Sequence, residues 1–271
     1  MHSVPWLNRV ARSSLLLSSL LLALLAAPAP VPAAARSTRP TTPELIDQAF
    51  ARGAITGDQR LTFLFYAVRD ISRVPSSLVG RGGWSATMVL REINRARQTL
   101  AGGRAAFSPA LRAALQSPTP QAATVCDTED GANTINTTHF HIVYDSVNTL
   151  TAQQYASALE ETFSTEIGTY GWAQPPLSDN NPFGRFPVQI SPIGNQTYGY
   201  VTSPGGSFTG TVGDNPNTAA TETVALASCM VVNSNMLQFA NGNAQAAFLA
   251  LKVTMAHEYF HAVQFGTGDA G

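Results

Sequence analysis

The 271 residues allow one or two domains once an N-terminal leader is set aside, and 12% of them are charged, about half the usual share. The net charge of −1 hides an asymmetry: residues 36–120 hold twelve arginines against five carboxylates, whereas residues 121–271 hold Arg185 and Lys252 against twelve carboxylates. The arginines are spread along predicted helices without interleaved surface aromatics or a recognisable motif, so no nucleic-acid site is read into them.

Arg9 and Arg12 precede an apolar run from Leu15 to Ala27, and Ala33, Ala34 and Ala35 offer a small-residue cleavage site. Residues 1–35 therefore read as a secretory signal peptide, too short in its apolar run to span a bilayer comfortably. The mature protein is expected to be secreted, with no membrane attachment after cleavage. In that oxidising compartment the two cysteines, Cys126 and Cys229, suggest one disulfide, with two separate buried thiols as the alternative.

After a short linker at Pro40 to Pro43, Thr42 and Pro43 predict a helix start, with Thr42 as the cap. A second helix is predicted after Thr56, where Thr56 and Gln59 have capping-box spacing, and it ends before Pro75. A third is predicted from Ser85 to about Leu100. Residues 36–120 thus read as a small helical unit. Its basic charge suggests a pro-segment that docks on the acidic residues 121–271, or else a permanent N-terminal domain.

Ser117 to Pro120 read as a linker. Beyond it, Thr138 to Tyr144 alternates as a strand, and Thr151 to Ile167 is an amphipathic helix with a Thr151/Gln154 capping box. Phe186 to Ile193 and Val224 to Val232 are further predicted strands. Tyr198 to Thr218, rich in Gly, Pro, Ser, Thr and Asn, reads as an exposed loop or hairpin, with a cleft wall or a calcium loop through Asp214 and Asn215 as alternatives. His139 and His141 alternate onto one strand face, read as a polar face rather than a second metal site. Residues 121–271 are expected to be an α+β domain.

The richest chemistry lies in the last predicted helix, Gln245 to Phe265, which has almost no polar face and is followed by Gly266 as a stop. His257 and His261 stand at i and i+4, one helical turn apart on one face, and can share a tetrahedral metal. This is the H-E-x-x-H pattern of zinc hydrolases. Glu258 between them is the expected general base, able to take a proton from a metal-activated water.

With that helix, the strand HFHIVY, the run Gly171 to Pro176, the Tyr198-Gly199-Tyr200 segment and Val231-Val232-Asn233, the chain resembles a family of exported bacterial zincin-type metallopeptidases. The likeness covers most of the chain after the signal, and its specific part is KVTMAHEYFHAVQF, Lys252 to Phe265. It implies a zincin-like catalytic domain of gluzincin type, one catalytic Zn2+ held by His257 and His261, Glu258 as base, and a peptide or protein substrate. It also implies a third ligand, a glutamate on a later helix, which these 271 residues do not reach; Asp269 is a weaker acidic candidate. The expected function is a secreted zinc endopeptidase, with a fragment of a longer enzyme as one explanation of the missing third ligand. The alternative is a non-catalytic exported binding or adhesion module on a degenerate zincin scaffold.

Overall fold

The computed structural model describes residues 39–103, 107–116, 131–148, 150–203 and 213–268. The expected signal peptide, the linker at 117–120, Cys126 and Asp269 lie outside them. The described residues belong to one compact unit, Arg39–Gly271, of α+β class, with six α-helices and a mixed six-stranded sheet among them. No described helix is long and apolar enough to cross a membrane.

Capping residues set most helix starts. Helix α1 (Thr42–Ala51) begins one residue earlier than its Pro43 suggests, because Thr41 and Glu44 form the capping box, each side chain taking the other's backbone N–H. Thr42 is thereby released from capping. Its hydroxyl donates to Gln196 Oε1 at 2.7 Å and accepts from Gly80 N at 2.9 Å, in a fully buried position. Helix α2 (Gly57–Arg69) carries the expected Thr56/Gln59 box, and helices α3 (Thr87–Ala101) and α4 (Pro109–Gln116) complete the N-terminal layer. Arg60 on α2 pairs with Asp47 on α1 and with Glu92 on α3.

The sheet is built from β1 (Trp84–Ser85), β2 (Asn133–Asn136), β3 (Phe140–Tyr144), β4 (Phe186–Ser191), β5 (Thr197–Thr202) and β6 (Cys229–Asn233), in the order β1-β5-β6-β4-β3-β2. Strands β3, β4 and β6 run parallel, β5 lies antiparallel to β6, and β1 adds parallel to β5. Three features depart from expectation. β1 and β2 were not foreseen, because two and four residues are too few to show alternation. β5 occupies the start of the stretch expected as an exposed loop or hairpin, where Gly199 interrupts a run of strand-forming Tyr, Val and Thr residues. The strand expected from Val224 begins only at Cys229.

Helix α5 (Ala152–Phe163), with the expected Thr151/Gln154 box, continues as one π-helical turn over Ser164–Thr169. Together with α6 (Ala244–Gly266) it covers one sheet face. There Phe140, Phe186 and Tyr259 meet edge to face, Tyr259 standing 5.5 Å and 5.3 Å from the two phenylalanine rings. Such pairs contribute about 0.5–1.5 kcal/mol each beyond their buried area. Helices α1 to α4 build a second core, which extends onto Tyr200, Cys229 and Val231 of the sheet. Cys229 is fully buried and disulfide-bonded.

Candidate metal centre

Helix α6 starts at Asn243, whose side chain accepts from Ala246 N at 3.0 Å. Its stop is set further on than Gly266. Gly268, at φ +72°, takes the left-handed turn, while Gly266 stays helical because it packs against the Pro175–Pro176 segment. A Cβ at Gly266 would lie 2.7 Å from Pro176 Cδ and 3.1 Å from Pro175 Cα. The helix is also less enclosed than its apolar composition predicts. Leu251, Met255, Tyr259 and Ala262 are fully buried, but Leu249, Val253, His257 and Phe260 are exposed along the opposite side.

The two histidines converge. Nε2 of His257 and Nε2 of His261 are 3.1 Å apart. Two nitrogens sharing a tetrahedral zinc at about 2.0–2.1 Å each would be about 3.3 Å apart, so the pair fits as two ligands of one ion. Nδ1–H of His261 donates to Gln264 Oε1 at 2.9 Å, which fixes the tautomer that leaves Nε2 a free lone pair. Desolvation, partial at the surface-reaching His257 and fuller at the buried His261, holds both imidazoles below their ordinary pKa, with the neighbouring His261 adding to the effect at His257; at His261 the Gln264 bond opposes it and Arg91 adds to it. Both are thereby favoured in the neutral, ligating form.

Glu258 points away from solvent. It is completely buried, its Oε2 accepts from Thr87 Oγ1 at 2.6 Å, and its Oε1 has no hydrogen-bond partner. Burial pushes its pKa up to about 7, while the hydroxyls of Thr87 and Ser85 pull the other way. Thr87 also accepts the backbone N–H of Val201 on β5 at 2.8 Å. The N-terminal layer therefore enters the centre directly.

Arg91, one turn further along α3, brings a positive charge close enough to depress His261 and lies over the Phe265 ring, 5.2 Å from its centroid. On the other flank Tyr170, Trp172 and Phe260 form an aromatic shelf, with the Trp172 and Phe260 rings 4.9 Å apart. Sequence reasoning did not single out Thr87, Arg91 or Gln264. Thr87 and Arg91 look like ordinary residues of an amphipathic helix, and only Gln264, at i+3 from His261, carried a spacing signal.

The remaining candidates fall elsewhere. His139 precedes β3 and bonds Glu160 through Nδ1 at 2.7 Å while stacking on Phe163; His141 bonds Asn136 through Nδ1 at 2.7 Å while stacking on Phe183. They belong to separate networks rather than to one face. Asp214 Oδ1 accepts from Glu222 N, and Asn215 Oδ1 accepts from Asn217 N, so the calcium-loop candidates serve the loop's own backbone. Among the described residues, no group of three or more His, Cys, Asp or Glu side chains stands ready to hold a metal.

Comparison with protein-family models, with curated proteins and with solved structures finds no match for this chain.

Proposed function

We propose that this chain carries the catalytic helix of a secreted zinc endopeptidase on a zincin-like domain. The observation that carries the reading is the 3.1 Å convergence of the His257 and His261 Nε2 atoms, with Gln264 fixing one ring and Glu258 next in sequence. His257 and His261 would hold the ion. When bound, zinc supplies a Lewis acid for the scissile carbonyl and lowers the pKa of water toward about 7. Glu258 would take the proton of the attacking water and deliver it to the leaving amine, and Oε1, which has no hydrogen-bond partner, is the oxygen left for that role once water reaches the buried carboxylate. Arg91 carries a positive charge near His261 and would favour negative charge developing on the carbonyl oxygen. The Tyr170, Trp172 and Phe260 shelf offers an apolar surface for a residue flanking the cleaved bond.

Replacing Glu258 with Gln tests the reading. Peptide turnover should fall by roughly 10²–10⁴-fold, with the zinc content of the protein unchanged. The rival reading, a non-catalytic exported binding module, draws on the complete burial of Glu258. It predicts that wild type and Glu258→Gln bind zinc alike and that neither cleaves peptides.

A further inference from the structure

Thr87 links three parts of the molecule through one hydroxyl. Its Oγ1 accepts the N–H of Val201 at 2.8 Å and donates its own proton to Glu258 Oε2 at 2.6 Å, and the residue has no exposed surface. The backbone N–H of Val201 fills one acceptor position of the hydroxyl, and the Glu258 oxygen 2.6 Å away is the acceptor for its proton. The Val201 bond thus helps to hold the hydroxyl where it donates to Glu258.

Position along the sheet makes this bond available. β1 follows the outer edge of β5 only as far as Ser85, opposite Gly199, and Ala86 N donates to Gly199 O at 3.1 Å. α3 then turns away, and the next donor on β5, Val201 N, would be left unpaired at the sheet edge. Thr87 supplies its acceptor. On the inner side Gly199 has no side chain, so the Glu258 methylenes lie over the strand and its carboxylate reaches the edge. The carboxylate is held at Oε2, with the Ser85 hydroxyl also acting on the group, and its other oxygen, Oε1, is buried without a hydrogen-bond partner.

Resting on the peptidase reading above, we propose that Thr87 is a positioning residue for Glu258: it pins Oε2 so that Oε1 is the oxygen presented for proton transfer. The N-terminal helical layer is then a working part of the centre, because it delivers this hydroxyl from outside the helix that bears the histidines. No covalent step is involved.

The test compares Thr87→Val, which keeps the shape and removes the hydroxyl, with Thr87→Ser, which keeps the hydroxyl and removes the methyl. The full chain is loaded with zinc and assayed on a quenched fluorescent peptide, taken from a mixed library, that the wild type cleaves. Expected for Val is a fall in kcat of roughly 10²-fold with KM and bound zinc unchanged, and for Ser a return to within a few-fold of wild type. Wild-type kcat in the Val variant, or equal losses in Val and Ser, overturns the proposal. If the Val variant does not fold, Thr87→Cys takes its place. Its weak thiol donor should give a loss clearly greater than that of Ser, and equality overturns the proposal.

A second readout needs no turnover. Denaturant midpoints of the zinc-free wild type, Thr87→Val, Glu258→Leu and the double variant form a cycle. Coupled losses establish the Thr87–Glu258 link even if no peptide is cleaved, in which case the peptidase reading fails by itself. Additive losses remove the link whatever the activity.

Discussion

Gly199 and Glu258 are in close apposition: a Cβ built on Gly199 would stand 3.4 Å from Glu258 Cγ, 3.2 Å from Thr254 Cγ2 and only 2.9 Å from the Val231 carbonyl oxygen. The last of these is backbone of the neighbouring strand, so relief requires β5 to move away from β6. Gly199→Ala should therefore destabilise the protein by about 1–3 kcal/mol, read from the urea midpoint. It should also lower peptide turnover, because any shift of β5 carries Val201 and with it the Thr87 contact. An unchanged midpoint would show that the strand has room beneath Glu258 and that glycine is not required there.

Gln264 holds His261 by its distal nitrogen, and groups in that place commonly change metal affinity by about 10–100-fold. Gln264→Leu keeps the side chain's bulk and removes the acceptor. Zinc affinity, measured by competition with a chromophoric chelator, should fall within that range while the urea midpoint of the zinc-free protein moves little. Equal affinity in the two proteins would show that His261 is oriented by packing alone.

The helices were legible because their signals are local. The capping boxes at Thr56/Gln59 and Thr151/Gln154 form as spaced, and the error at Thr42 came from a competing box one residue earlier. His257 and His261 were legible for the same reason, since i and i+4 on a helix fix their relation before any tertiary contact forms. Thr87 was not legible. It lies 171 residues from Glu258, and only the pairing of β1 with β5 brings the two together. The exposure of His257 beside Leu249 and Val253 was equally hidden, because an all-apolar helix pattern does not say which side is left open.

Glu166 gives a pH prediction. It sits in the π-helical turn after α5, nearly fully buried, with Oε2 unpartnered, and burial pushes its pKa up to about 7 from an ordinary 4.5. The folded state thus keeps a proton that the unfolded state releases above pH 4.5. Stability falls as pH rises from about 4.5 to about 7 and levels off beyond. The difference between the two values corresponds to roughly 3 kcal/mol at the upper end. Glu166→Gln cannot ionise, so its urea midpoint should exceed that of wild type at about pH 8, with the gap closing by about pH 5. Parallel profiles for the two proteins would locate the pH dependence in other groups.

The charge contrast between residues 36–120 and the rest suggests a removable pro-segment, but the packing argues for permanence. Helices α1 to α4 cover Tyr200, Cys229 and Val231 on the second sheet face, and β1 pairs with β5. Taking the layer away uncovers fully buried side chains at Cys229 and Val231, leaves the β5 edge unpaired and strips Glu258 of its Thr87 bond. Exposed apolar sheet of this kind drives edge-to-edge association. A chain begun at Ser117 should therefore be recovered as aggregate, whereas the full chain stays dispersed in size-exclusion chromatography. N-terminal sequencing of the secreted protein provides the complementary measurement. A mature chain starting near Arg36 agrees with an integral layer; a soluble, peptide-cleaving species starting between residues 117 and 125 would show that the layer is dispensable and that Glu258 acts without Thr87.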